Sequence, residues 1–199
     1  LSAFSNGVDD IPDDKKPDHA RVGEAVYRTA KELQGYISKL EEIRVPVIAA
    51  VHGGVIGGAL DLITACDMRF ASNDAFFCIQ EINIGMAADV GTLQRLPKII
   101  PDSKMREMAY TGRRMLADEA KDSGLVGEVY ETQDEMLDAV HKLAAEIASK
   151  SPVAIYGLKA VMNYSRDHNV SDSLDFNALW SGAMLSQADM TEAMTAQME

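Results

Sequence analysis

Apolar residues fall at two periods along this chain, and the switches between them outline a fold. Val22, Val26, Leu33, Ile37 and Leu40 recur at helical spacing, which predicts an amphipathic helix over residues 19–43. Pro46-Val47-Ile48-Ala49-Ala50-Val51 is wholly apolar, as a strand buried in a parallel sheet is. It runs into the glycine-rich turn His52-Gly53-Gly54-Val55-Ile56-Gly57-Gly58, after which 59–66 reads as a helix. Residues 68–71 and 75–79 read as two short strands with an Asn-Asp turn between them. A loop over 82–89 leads to a helix near 90–96, and Pro97 and Pro101 interrupt the next stretch. Helical patterns return at 103–111 and 117–123, and 125–130 reads as a strand. Thr132-Gln133-Asp134-Glu135 has the spacing of a capping box and opens a helix towards residue 149. Pro152 opens another towards residue 166, and the remainder reads as one long helix. Strands alternating with helices, then helices alone, make the fold class α/β with a helical C-terminal layer. The expected division is an α/β core over 1–130 and a helical region over 131–199.

Composition narrows the function classes. Lys plus Arg number 19 against 31 Asp plus Glu, a net charge of −12. A nucleic acid or an anionic membrane needs a basic face, so neither is expected as the main partner. A small anion held by backbone dipoles stays open. Cys66 and Cys78 form no CxxC and no larger framework, which excludes a cysteine zinc site and fits a reducing compartment. No apolar run approaches the roughly 20 residues that span a bilayer, so no membrane insertion is expected. The first residues, Leu1-Ser2-Ala3-Phe4, read as starting inside a fold, with no secretory or transit pattern.

The chemistry concentrates in two places. Gly53, Gly54, Gly57 and Gly58 follow an apolar strand and open a helix. Such a turn can aim backbone N–H groups at a developing oxyanion, or it can serve tight strand–helix packing. The spacing is neither GxGxxG nor GxxxxGK[ST], so a nucleotide-phosphate cradle is not expected. The second place is a set of carboxylates: Asp61 in the first turn of the helix, Glu81 after an apolar strand, and Asp89 in Gly85-Met86-Ala87-Ala88-Asp89-Val90-Gly91. A carboxylate among small apolar residues is expected to be poorly solvated, with its pKa raised towards that of a general acid or base. Each, taken singly, reads more readily as a helix cap or a surface carboxylate. No histidine accompanies them at ligand spacing, so no metal is expected. His52 is expected to pack or hydrogen-bond locally, and Asp67 to pair with Arg69 or cap a helix. No GxSxG elbow exists for serine hydrolysis.

Together these segments resemble a known superfamily. The run from Pro46 to Leu62 is similar to the signature of the enoyl-CoA hydratase/isomerase (crotonase) superfamily. Phe4-Ser5-Asn6-Gly7-Val8-Asp9 resembles its earlier Phe-x-Ala-Gly-x-Asp segment, and Ala117-Asp118-Glu119-Ala120 with Gly124-Leu125-Val126 its downstream block. Within the superfamily, Ala87-Ala88-Asp89-Val90-Gly91-Thr92-Leu93-Gln94-Arg95-Leu96-Pro97 resembles the dienoyl-CoA isomerase branch, since hydratases usually carry glycine in place of Asp89. The resemblance implies a crotonase-like ββα spiral whose N-terminal strands precede Phe4 and are missing from this chain. It implies an isomerase that converts a 3,5-dienoyl-CoA to the conjugated 2,4-dienoyl-CoA in fatty-acid β-oxidation. The backbone N–H groups of Val8 and Gly58 would form the oxyanion hole, flanked by Gly7, Asp9 and Gly57. Glu81 and Asp89 would be the proton-transfer pair, with Asp61 orienting or tuning them. CoA would arrive as part of the acyl-CoA thioester substrate, so no separate cofactor is implied. A homotrimer or dimer of trimers, joined through the C-terminal helices, is implied, as is a mitochondrial or peroxisomal matrix in a eukaryote and otherwise the cytoplasm. The alternatives are a 2-enoyl-CoA hydratase or 3,2-enoyl-CoA isomerase of the same superfamily, or a non-catalytic scaffold or RNA-binding member. Asn6, Asp10 and Ala59 depart from the usual pattern, at positions where the backbone rather than the side chain carries the role.

Overall fold

A computed structural model describes residues 18–196. The chain enters on α1 (His19–Glu42), capped by Asp18, whose side chain accepts the Arg21 N–H. No residue of α1 is buried, and Val22, Val26 and Leu33 of its apolar stripe stay exposed. Strands β1 (Ile48–Val51), β2 (Gly54–Ile56), β3 (Met68–Ser72), β4 (Phe76–Cys78), β5 (Arg114–Leu116) and β6 (Val129–Tyr130) form two three-stranded sheets. One has the order β1-β3-β6 and is parallel throughout. The other has the order β2-β4-β5, with β2 and β4 parallel and β4 and β5 antiparallel.

The two sheets arise because the chain changes sheet at each short turn. His52-Gly53 carries it from β1 to β2, and Asn73-Asp74 carries it from β3 to β4. Residues 68–71 and 75–79, although joined by a tight turn, therefore do not pair with each other. Each pairs instead with its counterpart one turn earlier: Ile48 faces Met68, and Gly54 faces Phe76. Helix α2 (Gly58–Thr64) follows β2, so strand, strand and helix make one turn of a coil on which the next pair of strands stacks. Leu60, Ile63, Ala71, Phe77, Leu96, Met108, Met115 and Leu125 fill the space between these layers and are almost completely buried.

Three expectations need correction. The glycine-rich segment is not all turn, because Gly54–Ile56 pairs as β2; Val55 alone of its side chains is buried, too little pattern to read as a strand. The strand expected over 125–130 shrinks to Val129–Tyr130, since the Leu125 and Val126 N–H groups return to Ala120 O and form a turn. The last helix is two: α8 (Val170–Met184) ends at extended Leu185, and Ser186 accepts the Asp189 N–H to start α9 (Gln187–Ala196).

The other helices follow the pattern closely. They are α3 (Thr92–Arg95), α4 (Asp102–Thr111), α5 (Ala117–Asp122), α6 (Gln133–Ala148) and α7 (Pro152–Asp167). Thr132 accepts the Glu135 N–H at the start of α6, which packs on β1 and β3 and buries Met136 and Val140. Helices α7 and α8 pair through aromatic rings, Tyr164 stacking on Phe176 and Tyr156 meeting Trp180 edge-on.

Candidate active site

Strand β2 delivers the chain to Gly57, whose φ of 55° places it in the left-handed region. Its N–H donates to Cys78 O at 3.0 Å, and its carbonyl accepts the Leu60 and Asp61 N–H groups to start α2. The Gly58 N–H has no acceptor among the described residues. A first-turn amide left free in this way is a donor for a ligand oxygen. A 3₁₀ turn over Glu81–Ile84 follows β4 and brings the Glu81 carboxyl over Gly57. A Cβ on Gly57 would lie 2.9 Å from Glu81 Oε1, so glycine is required both by the backbone angle and by this contact.

Glu81 is half-buried, and burial pushes its carboxyl above the ordinary glutamate value; the negative charges of Asp61 and Asp89 push the same way. Asp61 is the most enclosed of the three carboxylates, about 1% exposed. Its Oδ1 accepts the Thr92 N–H at 2.6 Å, which ties α2 to the start of α3. Asp89 departs from expectation. Gly85, Met86 and Ala87 are themselves exposed, and although Ala88 is buried, Asp89 faces solvent. Short apolar residues do not exclude water unless a second layer covers them. The three carboxylates thus share a field, but no three His, Cys, Asp or Glu side chains among the described residues converge closely enough to hold a metal ion.

Beside this group lies an apolar cavity of about 350 Å³, lined by Ile79, Ile82, Met86, Ala88, Leu93 and Met105. Val8, Gly7 and Asp9 lie outside the described residues. His52 is exposed rather than packed. Asp67 neither pairs with Arg69 nor caps a helix: its Oδ2 accepts the Val47 N–H at 2.7 Å and Lys159 Nζ at 2.8 Å. Arg69 instead donates to the carbonyls of Cys66 and Leu125, free acceptors at the end of α2 and in the turn before β6. Residues that the sequence left unremarked also reach the site. Gln34 donates to Asp89 O at 2.7 Å, and Arg95 lies over Gly91, whose φ is 140°. Nothing in the local pattern marks Gln34, a polar position on a long helix.

Residues 3–199 match the family described as enoyl-CoA hydratase/isomerase. Among curated relatives, "Delta(3,5)-Delta(2,4)-dienoyl-CoA isomerase, mitochondrial" of Rattus norvegicus is 47% identical over 203 aligned residues, covering 98% of this chain and 62% of that protein. The peroxisomal protein of the same name from Arabidopsis thaliana is 47% identical over 181 residues, covering 91% of this chain and 65% of that protein. This chain therefore spans a little under two thirds of the length of these relatives. A crystal structure of a probable enoyl-CoA hydratase/isomerase from Mycobacterium abscessus superposes with a TM-score of 0.82 at 31% identity, covering 88% of this chain and 68% of that one.

Proposed function

This chain belongs to the enoyl-CoA hydratase/isomerase family, with the crotonase-like fold of that family, and from that premise we propose that it isomerises a 3,5-dienoyl-CoA to the 2,4-dienoyl-CoA. The observation that carries the reading is the Glu81 carboxyl: half-buried, raised in pKa, and seated over Gly57 beside the Gly58 N–H, which has no acceptor among the described residues. Glu81 takes a proton from the α-carbon of the thioester. The electron pair delocalises onto the thioester oxygen, where the Gly58 N–H stabilises it, with Val8 as the proposed second donor. The extended dienolate then accepts a proton at the sixth carbon, which leaves double bonds at positions 2 and 4. Asp89 delivers that proton and recovers one from the solvent it faces, while Glu81 releases the α-proton it took, so no net proton is gained or lost per turnover. Asp61 does not touch the substrate in this scheme; it fixes the Thr92 backbone and adds negative charge that keeps the Glu81 pKa high. The apolar cavity beside Ala88 suits the hydrocarbon tail.

The same reading takes CoA as part of the substrate, a mitochondrial or peroxisomal matrix as the compartment in a eukaryote, and β-oxidation of unsaturated acyl chains as the context. It also takes a homotrimer, or two paired trimers, as the assembly. Phe176 and Trp180 are engaged with α7 inside the chain, which leaves Leu174, Leu179 and Leu185 exposed for subunit contact.

The test is an ultraviolet assay with a 3,5-dienoyl-CoA, comparing the wild type with Glu81→Gln and Asp89→Asn. Growth of the conjugated-diene band in the wild type and its loss in both variants is the expected result. A wild type that ignores the diene and hydrates a 2-enoyl-CoA would overturn the assignment of Asp89 and leave a hydratase.

A further inference from the structure

The backbone carrying Asp89 is anchored at both ends. The Met86 N–H donates to Glu81 O at 2.9 Å, and the Thr92 N–H donates to Asp61 Oδ1. Between these anchors, residues 87–90 have neither helix nor strand. Among the described residues a single hydrogen bond reaches them, from Gln34 Nε2 to Asp89 O. Gln34 lies 55 residues earlier, on α1, and its Oε1 in turn accepts Lys31 Nζ at 3.2 Å.

Gln34, Ser38 and Glu41 follow one another at spacings of four and three, so they share one face of α1. From that face Ser38 Oγ and Glu41 Oε2 receive Arg95 Nη2 at 2.9 and 2.8 Å. Arg95 Nη1 occupies the space above Gly91 that a side chain there would fill. One helix face thus holds the Asp89 carbonyl directly and also holds Arg95, whose guanidinium packs over Gly91. The Asp89 carboxylate, exposed and without a hydrogen bond of its own among the described residues, takes its position from this backbone. Proton transfer needs the carboxylate at hydrogen-bond reach of the receiving carbon, and a displacement of about 1 Å can cost on the order of a hundredfold in rate.

We propose that Gln34 is a positioning residue for distal proton delivery: its bond to the Asp89 carbonyl, braced by Arg95 against Ser38 and Glu41, sets the loop from which Asp89 acts. The inference rests on the reading of Asp89 given above. It makes a prediction specific to one half of the reaction. Among the described residues no hydrogen bond joins α1 to Glu81, so removal of the α-proton should depend on α1 far less than protonation at the far carbon.

Two variants separate these halves. Gln34→Met keeps the approximate shape and loses the donor, and Gln34→Lys keeps a donor. The readouts are kcat and KM for the 3,5-dienoyl-CoA, and exchange of its α-hydrogen with deuterated solvent. Gln34→Met is expected to lower kcat about tenfold with KM within about twofold, the scale of one lost hydrogen bond, while α-exchange keeps its wild-type rate. Gln34→Lys is expected to recover most of kcat. Wild-type kcat in Gln34→Met, an equal fall in isomerisation and exchange, or a Gln34→Lys no better than Gln34→Met would each overturn the proposal. If instead Asp89→Asn isomerises as fast as the wild type, the reading of Asp89 itself falls; an inactive Asp89→Asn beside a fully active Gln34→Met removes only the role of Gln34.

Discussion

Glu81 owes its raised pKa to burial first and to charge second, and the charge can be changed by itself. With the pKa raised, the protonated form persists to higher pH than the ordinary glutamate value of 4.5. A base must be ionised to work, so kcat/KM should rise with pH through a limb above that value. Glu81→Gln should lower kcat by a factor of about 10² to 10⁴, the usual worth of a general base. Asp61→Asn tests the second contribution. It retains an oxygen for the Thr92 N–H and removes a negative charge that raises the Glu81 pKa, so the limb should move to lower pH. A limb that stays in place would show that Asp61 acts through the Thr92 bond alone. The identities of these residues are readable from type and spacing, because a carboxylate after an apolar strand or in a first helical turn stands out. Their solvation is not. Asp61, the one buried, sits between Leu60 and Leu62 like any helical residue, and Asp89, amid alanines and glycines, is exposed although its neighbour Ala88 is buried. Solvation depends on the second layer of contacts, which one segment does not contain.

At the scale of elements, local pattern carries far where the chain's own spacing decides the outcome. The limits of α1, α4, α6 and α7 follow from caps and periodicity: Asp18, Thr132 and Ser151 each accept an N–H from the first turn of their helix. Pairing between distant strands is not legible in this way, and β2 and β5, three residues each, are too short to show a period of their own. The tie between α1 and α7 is of the same kind. Lys159 looks like a solvated position of α7, yet it is about 3% exposed, and its Nζ donates to Leu40 O, Val45 O and Asp67 Oδ2 at 2.8, 3.0 and 2.8 Å. Three donors meet three acceptors, and together they clamp the passage from α1 into β1. Lys159→Met removes the cation and leaves Asp67 and two carbonyls short of a donor. A loss of ~2–4 kcal/mol in urea unfolding is expected, less than for a fully enclosed pair because Asp67 keeps the Val47 N–H and some solvent. A loss below ~1 kcal/mol would mean that water replaces the ammonium without strain.

The whole molecule carries twelve more negative than positive charges, and its response to acid follows from how the carboxylates are paired. Glu119 is held down to about 2 by hydrogen bonds from Arg113 and then Lys104, which join α4, α5 and the lead-in to β5. A carboxylate lowered on folding stabilises the native state fully above its unfolded value of 4.5 and loses that contribution as pH falls towards 2. Glu119→Gln should therefore lower the thermal midpoint at pH 7 and flatten its decline between those limits; an unchanged slope would assign acid unfolding to other carboxylates. Assembly is a property of the same scale. Leu158, Met162, Leu174, Leu179 and Leu185 lie 58–74% exposed on α7, α8 and the residue after α8. Scattered apolar residues are ordinary on a surface, and these five on adjoining helices are the candidates for the proposed subunit contact. Light scattering should give three or six times the mass of one chain, and Leu174→Asp with Leu179→Asp should reduce it while the helical circular dichroism is retained. A wild type that stays monomeric at micromolar concentration would remove these helices as an interface. Because the site groups Glu81, Asp61 and Asp89 all lie outside α7 and α8, a monomeric double variant that still isomerises the diene would show that assembly stabilises the chain without completing its chemistry.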